Sequence, residues 1–305
     1  MCSIMGVVRV EYREEPCKSA LNRVRGMPFR WSLNPYMGCA HRCTFCYVRA
    51  FERRADRAAG EGYGRTIRVK VNVAEVLRAE LSRASWGREP VAIGAATDPY
   101  QPAEGRYRLT HWCLRELAVA RTPFTIITRS PMIVRDLDVL SEAACRAEVS
   151  VTLSVPTLDE EVWRRTEPGT PPPRQRLRAV SRLVEAGIKA GVSLAPILPG
   201  LSDRPDQLAA MIAEARACGA THIWANLLYL KPGTREHFLS RLAQDWPELL
   251  PLYERLYADR AYLPAKTAEP VRSLVTELQR RHRIADRRVR RLDPPPESAQ
   301  LTLTL

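Results

Sequence analysis

The sequence predicts an α/β protein built on a parallel sheet of six βα units. From Val91 onward, short β-branched runs alternate with helix-length amphipathic segments, an order that requires helical crossovers and hence parallel strands. The runs beginning at 91, 124, 149 and 190 are apolar almost throughout, as in strands covered on both faces. A chain of 305 residues, 45% of them hydrophobic, can also bury the core of one large domain or two modest ones. Six such units close most of a barrel or form an open doubly wound sheet.

In chain order, "WSLNPY" at 31–36 reads as the first strand. Asn72 with Glu75 three positions on reads as a capping box ahead of Val76, Leu77 and Leu81. "VAIGAA" at 91–96 precedes "THWCLRELAVA", and "FTIIT" at 124–128 precedes "IVRDLDVLSEAACRA". "VSVTLSV" at 149–155 precedes "DEEVWRRT" and "PRQRLRAVSRLVEAG". "AGVSLAPI" at 190–197 leads to a helix that Asp203 can cap, with Leu208, Met211, Ile212 and Ala215 on one stripe and Gly219 as its stop. "HIWANLLYL" at 222–230 precedes "TREHFLSRLAQ". Residues 1–30 read as an N-terminal arm, 31–245 as the core, 246–290 as a helical C-terminal extension, and 291–305 as a disordered tail whose Pro-rich start joins neither helix nor sheet.

Composition narrows the function classes. No run approaches the roughly 18 apolar residues that span a bilayer, and the N-terminus alternates charged with apolar residues where a signal peptide would have an apolar core. A cytoplasmic protein with no membrane partner is expected. Eight cysteines at irregular spacing do not form the framework of a small disulfide-stapled domain, so Cys2, Cys17, Cys113, Cys145 and Cys218 are expected as free thiols. The net charge of +13 favours polyanionic partners or plain solubility. Basic residues bunch in "RAFERRADR" and from Gln279 to Arg291; they either contact DNA or RNA phosphates or form solvated helix faces.

The sharpest feature is "NPYMGCAHRCTFCYVRA" at 34–50, which places Cys39, Cys43 and Cys46 within eight positions. Thiolates suit zinc or iron-sulfur clusters. A zinc site would take His41 as its fourth ligand, although four donors so close in sequence fold poorly around one ion. In the iron-sulfur reading, three thiolates hold three corners of a four-iron cubane, and the fourth iron is left for a small molecule.

The cysteine spacing, with Phe45 before the last cysteine, resembles the signature of the radical S-adenosylmethionine (SAM) superfamily. "TDPYQPAE" at 97–104, "ITRSPMIVRDLDVL" at 127–140, "EPGTPPPRQRLRA" at 167–179 and "APILPGLSD" at 195–203 extend the resemblance to its spore photoproduct lyase-like group. The resemblance implies a partial (βα)6 TIM-like barrel and a four-iron four-sulfur cluster on Cys39, Cys43 and Cys46. It also implies SAM on the open iron and an electron donor such as flavodoxin or ferredoxin. Reductive cleavage of SAM would give a 5'-deoxyadenosyl radical that abstracts hydrogen from substrate, in a lyase-like reaction on nucleic acid. Phe45, Asp98, Arg129 and Ser154 are the implied cofactor contacts: Asp98 toward the methionine ammonium, Arg129 toward its carboxylate or the ribose, Ser154 toward the ribose. Read without the resemblance, the same residues are a capping Asp98, a solvated Arg129 and a strand-satisfied Ser154.

The departures from the lyase pattern bear on the reaction. Ala95 and Ala96 stand where the lyase-like pattern has a hydrogen-donating cysteine, and Phe45 lacks the hydroxyl of its tyrosine; Tyr47 alone keeps its match. Tyr100, Cys113 and Cys145 are the candidate replacements. Radical modification of a peptide, protein or small metabolite is the competing class, and a non-catalytic iron-sulfur or zinc module a third. The final residues, Gln300 to Leu305, weakly resemble the peptides with which repair proteins grip a sliding clamp; a frayed tail is the alternative.

Overall fold

The computed structural model of the chain describes residues 10–27 and 29–286. The terminal tail, with its clamp-binding expectation, the basic residues beyond Asp286, and Cys2 therefore lie outside the described residues.

The strands are β1 (Glu11–Glu15), β2 (Leu21–Arg23), β3 (Trp31–Leu33), β4 (Tyr36–Met37), β5 (Thr66–Lys70), β6 (Val91–Ile93), β7 (Phe124–Thr128), β8 (Val149–Ser154), β9 (Lys189–Ile197), β10 (His222–Leu227) and β11 (Ala285–Asp286). The helices are α1 (Val48–Arg54), α2 (Val73–Leu81), α3 (Pro102–Tyr107), α4 (Leu109–Val119), α5 (Leu137–Ala144), α6 (Glu160–Thr166), α7 (Pro173–Glu185), α8 (Pro205–Ala217), α9 (Arg235–Asp245), α10 (Leu250–Leu256) and α11 (Ala265–Arg281). The main sheet runs β11-β10-β9-β8-β7-β6-β3-β2. Strands β3, β6, β7, β8, β9 and β10 are parallel to their neighbours, as are β10 and β11, while β2 is antiparallel to β3. The six predicted units are therefore all present. They form an open, partial (βα)6 barrel, with β2 and β11 at its edges among the described residues.

Two local readings change. "WSLNPY" is split: β3 opens the main sheet, while β4 turns away into a three-stranded sheet ordered β1-β5-β4. The arm is stitched into both sheets, through β1 on β5 and β2 on β3. Both predicted helix caps also fail although the helices stand where they were placed. Asn72 occupies the N-cap of α2, but its side chain exchanges hydrogen bonds with the backbone of Cys17, accepting at 2.7 Å and donating at 3.2 Å. Asp203 accepts from Gly200 N at 2.8 Å, and Arg204 takes the N-cap of α8. In each case a tertiary or turn partner won the side-chain oxygen.

The strands are also less apolar than their composition implies. In β8, Val149, Val151 and Leu153 pack with Val139 and Leu140 of α5 and Leu177 and Val180 of α7 in the main core. The alternating residues Ser150, Thr152 and Ser154 face the other way and are equally buried. This inner face is small and polar: Ser150 donates to Thr125 at 3.1 Å, and Thr152 meets His222 Nε2 at 3.0 Å. The second contact crosses β9 above Gly191, where a Cβ would lie 2.3 Å from His222 O and 2.5 Å from its ring. A smaller apolar cluster sits at the C-terminal end of the sheet, joining Cys43 and Phe45 to Leu228, Phe238, Tyr253 and Tyr257. The C-terminal helices thereby buttress the cysteine segment directly.

Gly191→Ala should therefore destabilise the fold by about 1–3 kcal/mol, the usual cost of overpacking, although alanine suits a strand better than glycine. Urea denaturation measures this, and stability equal to the parent would mean that the His222 ring is not held across that position.

Candidate active site

Residues 38–47 adopt neither helix nor strand, so their backbone groups cannot satisfy one another in a regular ladder. Side chains and loops at the C-terminal ends of the strands supply the partners. After β6, Thr97 Oγ1 and Gln101 Nε2 donate to Gly38 O at 2.6 and 3.0 Å, and Gln101 Oε1 accepts from Ala40 N at 2.9 Å. From the segment after α6, Gly169 N donates to His41 O at 3.0 Å, while Thr166 O accepts from Thr44 N at 2.9 Å. After β10, Thr234 Oγ1 donates to Cys46 O at 3.0 Å. Two glycines make the close approaches possible. A Cβ on Gly64 would lie 2.2 Å from Cys39 O, and one on Gly169 would lie 2.5 Å from Ala40 O.

Within this cradle Cys39 and Cys43 are buried and Cys46 is half-buried, all as free thiols. Burial, reinforced by the neighbouring Asp98 and the other two sulfurs, pushes the Cys39 thiol well up. Burial likewise pushes Cys43 up to about 12, against the opposing pull of Arg129. Thiols in such surroundings ionise only against strong positive charge such as a metal supplies. Among the described residues no three His, Cys, Asp or Glu side chains gather around a single-ion position. A zinc ion on Cys39, His41, Cys43 and Cys46 would require these side chains to converge further. His41 turns Nδ1 to 3.3 Å from Asp98 Oδ2, without hydrogen-bond alignment. Three buried or half-buried soft donors on one loop are of the type that holds an iron-sulfur cluster.

Asp98 is a latch between strand ends. Its Oδ1 accepts from Tyr100 N at 2.9 Å and Thr128 Oγ1 at 2.7 Å, and its Oδ2 accepts from Arg129 N at 2.7 Å. Burial alone would raise its pKa, but His41, Thr128 and the Arg129 N–H outweigh that and hold the carboxyl below the ordinary range. Arg129 is partly buried and fully engaged. Its guanidinium lies over the Phe45 ring at 5.2 Å, ion-pairs with Glu167, and donates to Ala195 O at 3.1 Å.

Glu167 is in turn shared with Arg176, whose Nη1 and Nη2 reach it at 3.1–3.3 Å. Arg176 is fully buried, and it also donates to Ser154 O at 2.8 Å, Thr170 Oγ1 at 2.6 Å and Pro171 O at 2.8 Å. Ser154 lies in register with Ser193 of β9, and the fully buried Ser193 hydroxyl has no hydrogen-bond partner among the described residues.

The remaining predicted residues separate. Tyr47 sits at the mouth, 45% exposed, with its hydroxyl on Ala95 O and its ring edge-on to Phe51. Tyr100 is fully buried and gives its hydroxyl to Asp136 at 2.9 Å. Cys113 is buried in the main core and Cys145 is exposed beyond α5. The sequence reading missed Thr97, Gln101, Glu167 and Arg176. All four lie inside segments singled out for resemblance, and that was the available signal.

Replacing Glu167 with Gln should cost about 3–5 kcal/mol, because two buried guanidinium groups lose their counter-charge. Opposing the burial that would raise it, Arg176 and Arg129 hold the Glu167 carboxyl below its ordinary value of 4.5. Its stabilising contribution is therefore complete above that pH and is lost as pH falls below it. Chemical denaturation across pH should show a flatter acid limb in Glu167→Gln than in the parent, and parallel acid limbs would refute the triad.

Comparisons with known proteins agree with this geometry. Residues 33–212 match the Radical SAM superfamily. An uncharacterized protein of Mycobacterium tuberculosis is 40% identical over 279 residues, covering 90% of this chain and 82% of its own. Another, from Methanocaldococcus jannaschii, is 24% identical over 259 residues, covering 84% and 91%. Among solved structures, a point mutant of spore photoproduct lyase superposes with a TM-score of 0.67 at 13% identity, covering 89% of this chain and 79% of that one. A double mutant of the same lyase, with bound AdoMet and dinucleoside spore photoproduct, gives 0.65 at 15% over the same shares. Both are likenesses of fold. With the matched region spanning the cysteine loop and the parallel strands β6 to β9, the chain belongs to the radical SAM superfamily.

Proposed function

We propose that Cys39, Cys43 and Cys46 hold a four-iron four-sulfur cluster, that SAM binds beside it, and that the enzyme starts radical chemistry on a nucleic acid strand. The observation that carries this reading is the cradle itself: three free thiols on a loop whose backbone makes six hydrogen bonds, on five residues, to segments that follow β6, β8 and β10. When bound, the cofactor pair supplies an electron to the sulfonium and a carbon radical able to abstract hydrogen. The protein's part is to hold, orient and seal. Asp98 puts negative charge beside Cys39 for the methionine ammonium, and Arg129, steadied by Phe45 and Glu167, presents positive charge for its carboxylate. The Ser154 and unpartnered Ser193 hydroxyls offer polar contacts to a ribose. An acidic one-electron carrier such as flavodoxin or ferredoxin suits a chain of charge +13.

The nucleic acid part rests on the mouth of the site. Tyr47 and Phe51 are both 45% exposed beside the last cluster cysteine, ring centroids 5.9 Å apart, with the Arg54 guanidinium 5.4 Å from the Phe51 ring. Exposed aromatics interleaved with arginine are the chemistry on which unpaired bases stack. The lyase neighbour's bound dinucleoside photoproduct accords with such a substrate, while Ala95 and Phe45 remove two groups of a hydrogen-return relay. The proposed reaction is therefore hydrogen abstraction with a fate different from photoproduct repair, and Tyr47 is the one phenol of that relay left at the mouth.

Protein purified without oxygen and reconstituted with iron and sulfide should be brown, carry about four irons per chain, and form 5'-deoxyadenosine from SAM when reduced. Alanine at any one of Cys39, Cys43 or Cys46 should abolish both properties. A colourless protein holding one zinc would end the cluster reading. A bound cluster without 5'-deoxyadenosine would leave only a structural module.

Deuterium should pass from a labelled oligonucleotide into 5'-deoxyadenosine; transfer from a labelled peptide instead would assign the other substrate class. Phe51→Ala should weaken binding of a short single strand about tenfold, within the ~1–3 kcal/mol of one lost stacking contact. Replacing exposed Arg280, Arg281 and Arg283 with Ser should shallow the salt dependence. This is a cleaner test than truncation after Gln279, which would delete β11 from the main sheet. Unchanged affinity in both variants would sink the nucleic acid reading.

A further inference from the structure

Arg49, in the first turn of α1, folds back beneath the cysteine loop and is 1% exposed. Its Nε donates to Cys43 O at 3.3 Å, Nη1 to Ala59 O and Gly60 O at 2.7 Å each, and Nη2 to Arg42 O at 3.2 Å. The guanidinium also sits 4.6 Å from the centroid of Tyr63, whose hydroxyl is 3.5 Å from Cys46 Sγ. Every polar partner is a neutral carbonyl. Among the described residues no carboxylate comes within ion-pair distance of it; the nearby Glu61 is 64% exposed and faces Arg42 at 3.7 Å and His237 at 3.6 Å. Arg129 and the buried Arg176 share the buried Glu167, whereas the buried Arg49 has no carboxylate partner among the described residues.

A buried cation without a counter-charge is costly, and carbonyl dipoles compensate only part of that cost. The missing anion is available if the three thiolates carry their cluster, because three thiolates outweigh the charge of an oxidised four-iron core and one-electron reduction increases the excess. We infer that Arg49 is the built-in counter-ion of the cluster, a positioning residue whose fixed charge favours the reduced state and so raises the reduction potential. The inference rests on the proposed cluster on Cys39, Cys43 and Cys46. The same charge should help retain the cluster in the loop. Arg49 is buried where Tyr47 and Phe51 of the same stretch are exposed, so its role is to tune the electron and not to touch substrate.

The test compares full-length parent, Arg49→Gln and Arg49→Lys, each reconstituted without oxygen with iron and sulfide. Dithionite and mediators set the potential, and the spectrum of the reduced cluster reports the midpoint. Gln removes the charge while keeping a donor; Lys keeps the charge but loses the planar fork. Arg49→Gln should be reduced about tenfold less at a fixed donor potential, equivalent to a midpoint about 59 mV lower for one electron, and Arg49→Lys should restore most of it. Loss of iron from Arg49→Gln alone, with apo-protein melting like that of Arg49→Lys, would also support the counter-ion. An unchanged midpoint in Arg49→Gln, an equal displacement in both variants, or iron loss from both would overturn it and leave Arg49 a scaffold for the loop. A parent that binds no cluster would defeat the proposed function and is seen before either variant is read.

Discussion

An irregular loop cannot satisfy its own backbone, and around the three cysteines that constraint decides how the rest of the molecule is arranged. Gly38, Ala40, His41, Thr44 and Cys46 each take a backbone hydrogen bond from a segment beyond the C-terminal end of a strand. Each such bond contributes only about 0.5–1.5 kcal/mol net, yet leaving any of these buried groups unpaired costs more. The loop is therefore ordered only when the whole open barrel is assembled. Placement of the thiols is a property of the fold more than of the motif.

Charge is handled by the same economy of partners. Glu167 neutralises Arg129 and Arg176 together, and through them ties the ends of β7, β8 and β9 to the segment that clamps the cysteine loop. Asp98 does the equivalent work between β6 and β7. Networks of this kind are strong in a low-dielectric interior only while complete, which makes the site rigid and leaves it intolerant of single losses. The barrel's inner face is lined by Ser150, Thr152, Ser154 and Ser193, where the outer face is lined by Val and Leu. The inner face is thereby held by hydrogen bonds between polar side chains where the outer face is held by apolar packing.

Much of this was legible in the sequence because it depends on short-range pattern. "FTIIT" is β7 to the residue, and the stripe Leu208, Met211, Ile212 and Ala215 is the buried face of α8. The cysteine spacing and the four segments that follow it led to the right superfamily. Reading failed where a side chain had a choice of partner. Asn72 and Asp203 were assigned to helix caps but bond elsewhere. Val and Ser of β8 alternate in the sequence, and burial of both faces does not require both to be apolar.

The sequence by itself determined the period of each element, the spacing of the three cysteines and the excess of positive charge, since these are carried by residue type and local spacing. Only the tertiary structure decided which charges meet. Arg129 and Glu167 are 38 residues apart, and Thr234 reaches Cys46 across 188. Such contacts depend on the register of parallel strands joined by long crossovers, and the partner of a buried charge is fixed by that register.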